Sequence, residues 1–249
     1  MRRLLNTILA VLLVALPLPG LAASGTAMGV RPAAALEQEG ATKTLIVGSD
    51  VFIGDRIVTD GRGLVQIRFA DRTELVVGPH SSLVIEDYLL REDGSSGKVA
   101  INVLSGTFRF ATGRAPKDQY EIRTPTGTIG VRGTAFDGNV KADHSSFLLY
   151  HGEVVLCNNA GRCVTISDTC DIGMFDTAEA RLLGNAVDLT GPDRVSMRTM
   201  FPWAVSEGDL LGAFRVEGAR ECLNRAVLNT VPPSLAPGQD SRPRQRGKD

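Results

Sequence analysis

Two kinds of residue in this sequence are spaced for chemistry: four cysteines, and a glycine run with an arginine inside it. The cysteines are Cys157, Cys163, Cys170 and Cys222. An even count permits full pairing, in any of three connectivities. Cys157 and Cys163 flank Asn158-Asn159-Ala160-Gly161-Arg162, a hairpin-turn sequence that sets the two sulfurs on facing strands. Cys170 then pairs with Cys222 by elimination. Zinc is the rival chemistry. The spacing fits no zinc pattern, and thiols pair by default in oxidising compartments, so no metal or cofactor is expected.

The glycine run lies in Thr124–Phe136, where Gly127, Gly130 and Gly133 precede Thr134. A phosphate-cradling loop would need a lysine and a following helix, and neither is present in the sequence pattern. The stretch is β-type instead: Thr126, Thr128 and Thr134 accompany Ile129, Val131 and Phe136. Glycines at every third position fit neither face of a strand. They mark turns, a bulge or close backbone approach. Phe136 has the opposite parity to Ile129 and Val131, and a bulge near Gly133 returns it to their face. Arg132 sits in this apolar run, where an unpaired buried charge is costly. It either pairs with an internal carboxylate, the favoured expectation, or stays exposed to bind anions.

Other catalytic constellations are missing from the sequence. His80, His144 and His151 lack a His-x-x-x-His spacing, and His80 and His151 read as solvated turn residues. There is no Gly-x-Ser-x-Gly elbow, and Ser95-Ser96-Gly97 lies in a polar loop. Glu92-Asp93 and Asp168/Asp171 also read as loop carboxylates. The expectation is a non-enzyme. A carbohydrate-active or glycan-binding protein is the alternative, because glycosidase carboxylates have no fixed sequence spacing. One Trp and three Tyr equip the chain poorly for glycans. Trp203, next to Phe201, reads as a lid on the β core. With 27 basic and 28 acidic residues the net charge is −1, which gives no nucleic-acid footprint.

The elements that position these residues are short strands. Arg2 and Arg3, the apolar Leu4–Leu16 and the small residues Gly20-Leu21-Ala22 read as an export leader, residues 1–23. The apolar run is shorter than the ~20 residues a membrane span needs. Residues 24–44 are rich in Ala and Gly and read as a linker. From 45 to 167 the pattern is strand and turn: Val65, Ile67 and Phe69 alternate with Gln66 and Arg68, and Thr73, Leu75 and Val77 resume after an Asp71-Arg72 turn. Phe108 and Phe110 point inward. Such spacing predicts an all-β domain, either a sandwich or a solenoid-like coil. Residues 168–230 read as a partly helical appendage, with a short helical run at Thr177–Leu183 ended by Gly184. Residues 231–249, with prolines and charges, read as a disordered tail.

The run from Arg123 to Phe136, R-T-P-T-G-T-I-G-V-R-G-T-A-F, resembles the second signature of FecR-type periplasmic domains. Val51–Thr59, with Gly54-Asp55, followed by Val65–Leu75, with Asp71, resembles the first. The Gly78–Ser82 turn and Leu149–Val154 follow in order, and the resemblance spans about residues 47–157. It implies a twisted, solenoid-like β architecture, and it makes Asp55 and Asp71 the candidate partners of Arg132. It also implies a periplasmic sensing or protein-contact module. In the iron-transport regulators such a domain follows a cytoplasmic anti-sigma segment and one membrane span. Here the domain follows only a leader and linker, which puts direct sigma-factor control in doubt. The expected partner is another protein of the cell envelope, met at a sheet edge or at the Arg91–Lys98 and Asn158–Arg162 loops.

Overall fold

A computed structural model of the chain describes residues 23–38, 40–90, 96–114 and 120–224. The alternating stretch predicted at 65–77 is a hairpin of β6 (Leu64–Phe69) and β7 (Glu74–Val77), with Val65 opposite Val77 and Ile67 opposite Leu75. Arg72 takes φ 71° in its turn.

Three long strands organise the rest: β9 (Ser96–Ala111), β11 (Gly127–Val140) and β12 (His144–Asn158). Each changes neighbours partway along. The first part of β9 pairs with β8 (Ser82–Leu90) and, in parallel, with β10 (Tyr120–Thr124). Its last part, from Gly106, pairs with β7 and β11. β11 leaves β10 for β9 across Gly133, and β12 goes from β14 (Asp171–Asp176) to β13 (Cys163–Ile166) across Gly152. Gly106, Gly133 and Gly152 have φ of 98°, 65° and 88°, a region that only glycine enters without strain. The neighbour change therefore falls at a glycine in all three strands.

The result is one sheet of two continuous halves. One half carries β1 (Gly25–Arg31), β4 (Asp50–Val51), β6, β7, the distal parts of β9 and β11, the start of β12, β14 and β15 (Ala180–Asn185). The other carries β2 (Ala34–Gln38), β3 (Ala41–Thr44), β5 (Arg56–Thr59), β8 and β10, with the remaining parts of the long strands and β13. A single buried cluster takes members from both, including Ile57, Ile101, Ile129 and Leu156 with Phe69, Phe110, Phe136 and Phe147. Phe69 stacks on Tyr88 at 5.3 Å, and Phe110 meets Tyr120 edge-on at 5.7 Å, which joins the halves. Each such ring pair adds about 0.5–1.5 kcal/mol beyond burial.

Two expectations are corrected here. Residues 24–44 are strands β1, β2 and β3, not a linker. Small residues let β1 lie close on β6: a Cβ on Gly25 would stand 3.0 Å from the Arg68 carbonyl oxygen. Thr177–Leu183 is not helical. Asp176 Oδ1 accepts from Ala178 N (2.7 Å) and Glu179 N (2.8 Å), turning the chain into β15, whose ladder with β14 outweighs the propensity of a run too short to nucleate a helix. The sheet thus runs from Gly25 to Asn185. Helices come after it, α1 (Gly191–Met200) and α2 (Ala219–Asn224), with single 3-10 turns at Ala186–Asp188, Pro202–Ala204 and Gly212–Phe214. Both cysteine pairs form as expected, Cys157–Cys163 and Cys170–Cys222. Residues 1–22 of the leader, the tail 231–249 and residues 91–95 of the Arg91–Lys98 loop lie outside the described residues.

Candidate functional site

Residues 186–224 form a strap across the outer face of the first half. Leu211 N donates to Gln66 on β6 (2.7 Å), and Asp209 pairs with Arg31 on β1. The Arg68 guanidinium lies 5.6 Å over the Phe214 ring. Trp203 is buried with Leu64, Val76, Leu210 and Phe214, so it caps the sheet as expected, though on the outer face. Cys222 fastens the end of the strap to Cys170.

Under the strap lies a buried polar cluster. Arg109 on β9 stands opposite Asp137 on β11 in the ladder. Arg109 Nε donates to Asp137 Oδ1 at 2.6 Å, and an outer nitrogen donates to Oδ2 at 3.1 Å and to the Tyr150 hydroxyl at 3.1 Å. That hydroxyl donates in turn to Asp137 Oδ2. The remaining guanidinium nitrogen reaches Glu207 of the strap, whose carboxylate also takes Val216 N at 2.9 Å. The guanidinium also lies 4.9 Å from the Tyr150 ring centroid and 5.7 Å from that of Trp203. Arg109 is 1% exposed and Asp137 is fully buried. Burial opposes the charge on Arg109, but Asp137, Tyr150 and Glu207 hold it protonated above the usual arginine range. Burial, then the Asp137 charge, pushes the Tyr150 hydroxyl well above its ordinary value. Burial also pushes the Asp137 carboxyl up, with Arg109 and the Tyr150 hydroxyl pulling the other way.

Asp71 forms a second cluster. Its Oδ1 accepts from Thr73 N (2.9 Å) and the Tyr88 hydroxyl (3.2 Å), and its Oδ2 from Thr73 Oγ1 (2.7 Å) and the Tyr120 hydroxyl (3.0 Å). Four neutral donors satisfy a fully buried carboxylate, and they tie the β6–β7 turn to β8 and β10. Asp55 closes its own turn by accepting from Phe52 N at 2.8 Å, with Gly54 at φ 90° between them.

Arg132 therefore pairs with neither Asp55 nor Asp71, which corrects the expectation. It stands opposite Glu153 on β12 at 3.2 Å, with 64% of its side chain exposed. Its parity in β11 points away from the core that Val131 enters, so cross-strand register supplies its partner. The three glycines separate by role. A Cβ on Gly127 would stand 2.2 Å from the Cys157 carbonyl oxygen, and Gly133 carries the bulge that shifts register before Ala135. Gly130 has no such neighbour and keeps the ladder. Thr134 is buried, and its methyl carbon packs where Gly152 leaves room; its Oγ1 has no hydrogen-bond partner among the described residues. His80 and His151 are exposed, the first in a left-handed turn.

The Arg109 cluster was not foreseen. Alternation places Phe108 and Phe110 inward and so assigns Arg109 to solvent; the strap that covers it lies far along the chain. The usable signal was Asp137, a charge at outward parity directly after the inward Phe136. A surface cleft opens beside this cluster, lined by Glu207, Arg215, Val216, Glu217 and Arg220. Its charges are mixed, and Glu207 in its lining is held by Arg109. Among the described residues no group of three His, Cys, Asp or Glu side chains is placed to hold a metal ion. No helix among them is long and apolar enough to cross a membrane.

Residues 55–155 match the family model described as FecR protein. No curated protein matches the chain. Two crystal structures of a candidate anti-sigma factor from Parabacteroides distasonis are similar at 12% identity, with TM-scores of 0.41 and 0.39. They cover 58% and 51% of this chain. The chain covers 63% and 57% of theirs, less than two thirds of their length.

Proposed function

We propose that this chain, which carries a FecR domain over residues 55–155, is a sensing or signal-transduction module of the cell envelope that works by binding another protein. The observation that carries this reading is how the charged residues of the domain are used. Asp55, Asp71, Arg109 and Asp137 all have their hydrogen bonds engaged inside the fold. They act as fasteners of turns, strands and strap, which suits a rigid contact surface better than a reacting centre. The export leader read from the sequence supports a periplasmic location for the domain. Sheet edges offer a partner unpaired N–H and C=O groups. β15 is such an edge, with Leu182 and Leu183 both exposed. The hairpin tip around Ala160 is a second exposed contact face.

Photo-crosslinking residues placed at Leu183 and Ala160 test this in cells. The expected result is a discrete adduct with an envelope protein from at least one position, and none from a control at buried Val103. If neither position captures a protein, and the purified chain instead cleaves or retains a cell-wall glycan, the carbohydrate reading replaces this one.

A further inference from the structure

We infer that the Cys157–Cys163 hairpin is a thiol–disulfide exchange site, open to a dithiol oxidoreductase, whereas Cys170–Cys222 is a permanent staple. The two disulfides differ in access and in what else holds their ends together. Cys222 is fully buried and Cys170 is 5% exposed, whereas Cys163 is exposed and Cys157 half-buried. Exchange needs a thiolate to reach a sulfur, so access selects the hairpin. The buried bond closes a separation of 52 residues, the hairpin bond only 6, and the shorter loop constrains the unfolded chain less.

The hairpin also keeps its shape by other means. Asn158 N donates to the Arg162 carbonyl at 2.9 Å, and Gly161 N to the Asn158 carbonyl at 2.9 Å. Asn158 Oδ1 accepts from Ala160 N (3.1 Å) and Arg162 N (2.9 Å). Its Nδ2 donates to the Asp176 carbonyl (3.1 Å), and Asn159 Nδ2 to the Pro125 carbonyl (2.9 Å). Three further residue pairs continue the β12–β13 ladder, and Ile166 anchors β13 in the core. The turn thus stands without its sulfur bridge, and reduction leaves two thiols facing each other in register, ready to close again. No strand ladder runs between the ends of the other bond: Cys222 lies on α2 and Cys170 just before β14, so opening it removes the covalent tie at the end of the strap.

The exchange is balanced as follows. A thiolate of the dithiol attacks Cys163 Sγ, the S–S bond breaks, and Cys157 leaves as a thiolate that takes a proton from water. The second thiol of the attacker, once deprotonated, cleaves the mixed disulfide and releases Cys163. Two electrons pass from the dithiol, which becomes a disulfide, to the hairpin, which becomes two thiols. This inference is independent of the envelope-binding reading.

The test uses the full native chain with dithiothreitol as the dithiol, followed by alkylation and peptide mapping. Cys157 and Cys163 should label about tenfold or more faster than Cys170 and Cys222, following access. Circular dichroism should stay unchanged, and oxidised glutathione should restore the bond. A Cys157→Ser/Cys163→Ser double variant should melt close to the parent. Simultaneous opening of both disulfides, opening only with loss of the β signal, or a hairpin bond that resists native reduction would each overturn the assignment.

Discussion

Arg109 and Asp137 face each other directly across the β9–β11 ladder as a bidentate, fully buried ion pair on the side of the sheet away from its main core. What buries them is the strap, which adds Glu207 from 98 residues further on. Removing one partner strands a desolvated charge, which costs about 3–5 kcal/mol. Asp137→Ala should lose that much in urea unfolding, and an Arg109→Met/Asp137→Leu double variant should lose clearly less. Glu207→Gln keeps a hydrogen-bonding group in place and should cost about 1–3 kcal/mol. Equal losses for the Asp137 single and the double variant would mean that the pair is not desolvated.

Tyr150 carries the pH consequence of the same cluster. Burial and Asp137 raise its hydroxyl well above the ordinary value of 10.0. Its folded pKa exceeds its unfolded one, so its contribution is full below about pH 10 and is lost as pH rises further. Tyrosinate absorbance should therefore show a component that appears only with unfolding. Tyr150→Phe should lower that component by one tyrosinate. A Tyr150 that titrates freely near 10 in the folded chain would contradict its burial.

Arg132 is the opposite case. It is opposite Glu153 but mostly exposed, so solvent screens the pair. Arg132→Ala should cost no more than about 1 kcal/mol. A loss of about 3 kcal/mol or more would restore the buried partner that sequence reasoning assigned to it.

The contrast between Arg109 and Arg132 shows what the sequence discloses here. Alternation along Val65–Phe69 and across Phe108 and Phe110 reveals strands and their inner faces, because a strand's period is local. The bulge at Gly133 is legible from the parity of Phe136 against Val131. The hairpin between Cys157 and Cys163 is legible from its turn residues. Partners across the sheet are not, since register depends on residues far apart in the chain. Nor is the burial of an outer face, which here depends on a strap that mixes short helices and turns. The strands at 25–44 escaped notice because Ala and Gly, which allow β1 to lie close on β6, have the composition of a linker.

Gly152 tests the bend in the long strands. At φ 88° a Cβ there would stand 2.3 Å from the Gly133 carbonyl oxygen, where β11 makes its own bend. Gly161 has φ 78° but open space around it. Gly161→Ala should cost only backbone strain, about 1–3 kcal/mol. Gly152→Ala should exceed that measurably or fail to fold, because neither backbone can retreat. Equal midpoints for the two variants in denaturant would show that the bends do not pack on each other.

Asp71 offers the most direct test of the claim that the charges of the domain are fasteners. It is 0% exposed, and its two oxygens take Thr73 N, Thr73 Oγ1 and the hydroxyls of Tyr88 and Tyr120. The Tyr88 hydroxyl also accepts from Asp71 N at 2.8 Å, so each removal disturbs a group that serves another. Tyr88→Phe and Tyr120→Phe should each cost about 0.5–1.5 kcal/mol. Asp71→Asn keeps the shape but sets an amide N–H against a hydroxyl donor, and should cost about 1–3 kcal/mol; Asp71→Ala should cost more, since it leaves several buried donors unmet. If the three groups act as a network, losses in a Tyr88→Phe/Tyr120→Phe cycle will not add, with a coupling of about 0.5 kcal/mol or more. Additive losses would mean two independent hydrogen bonds. An Asp71→Asn variant as stable as the parent but unable to capture its envelope partner would mean that Asp71 belongs to the contact surface, and the fastener argument would fail at that residue.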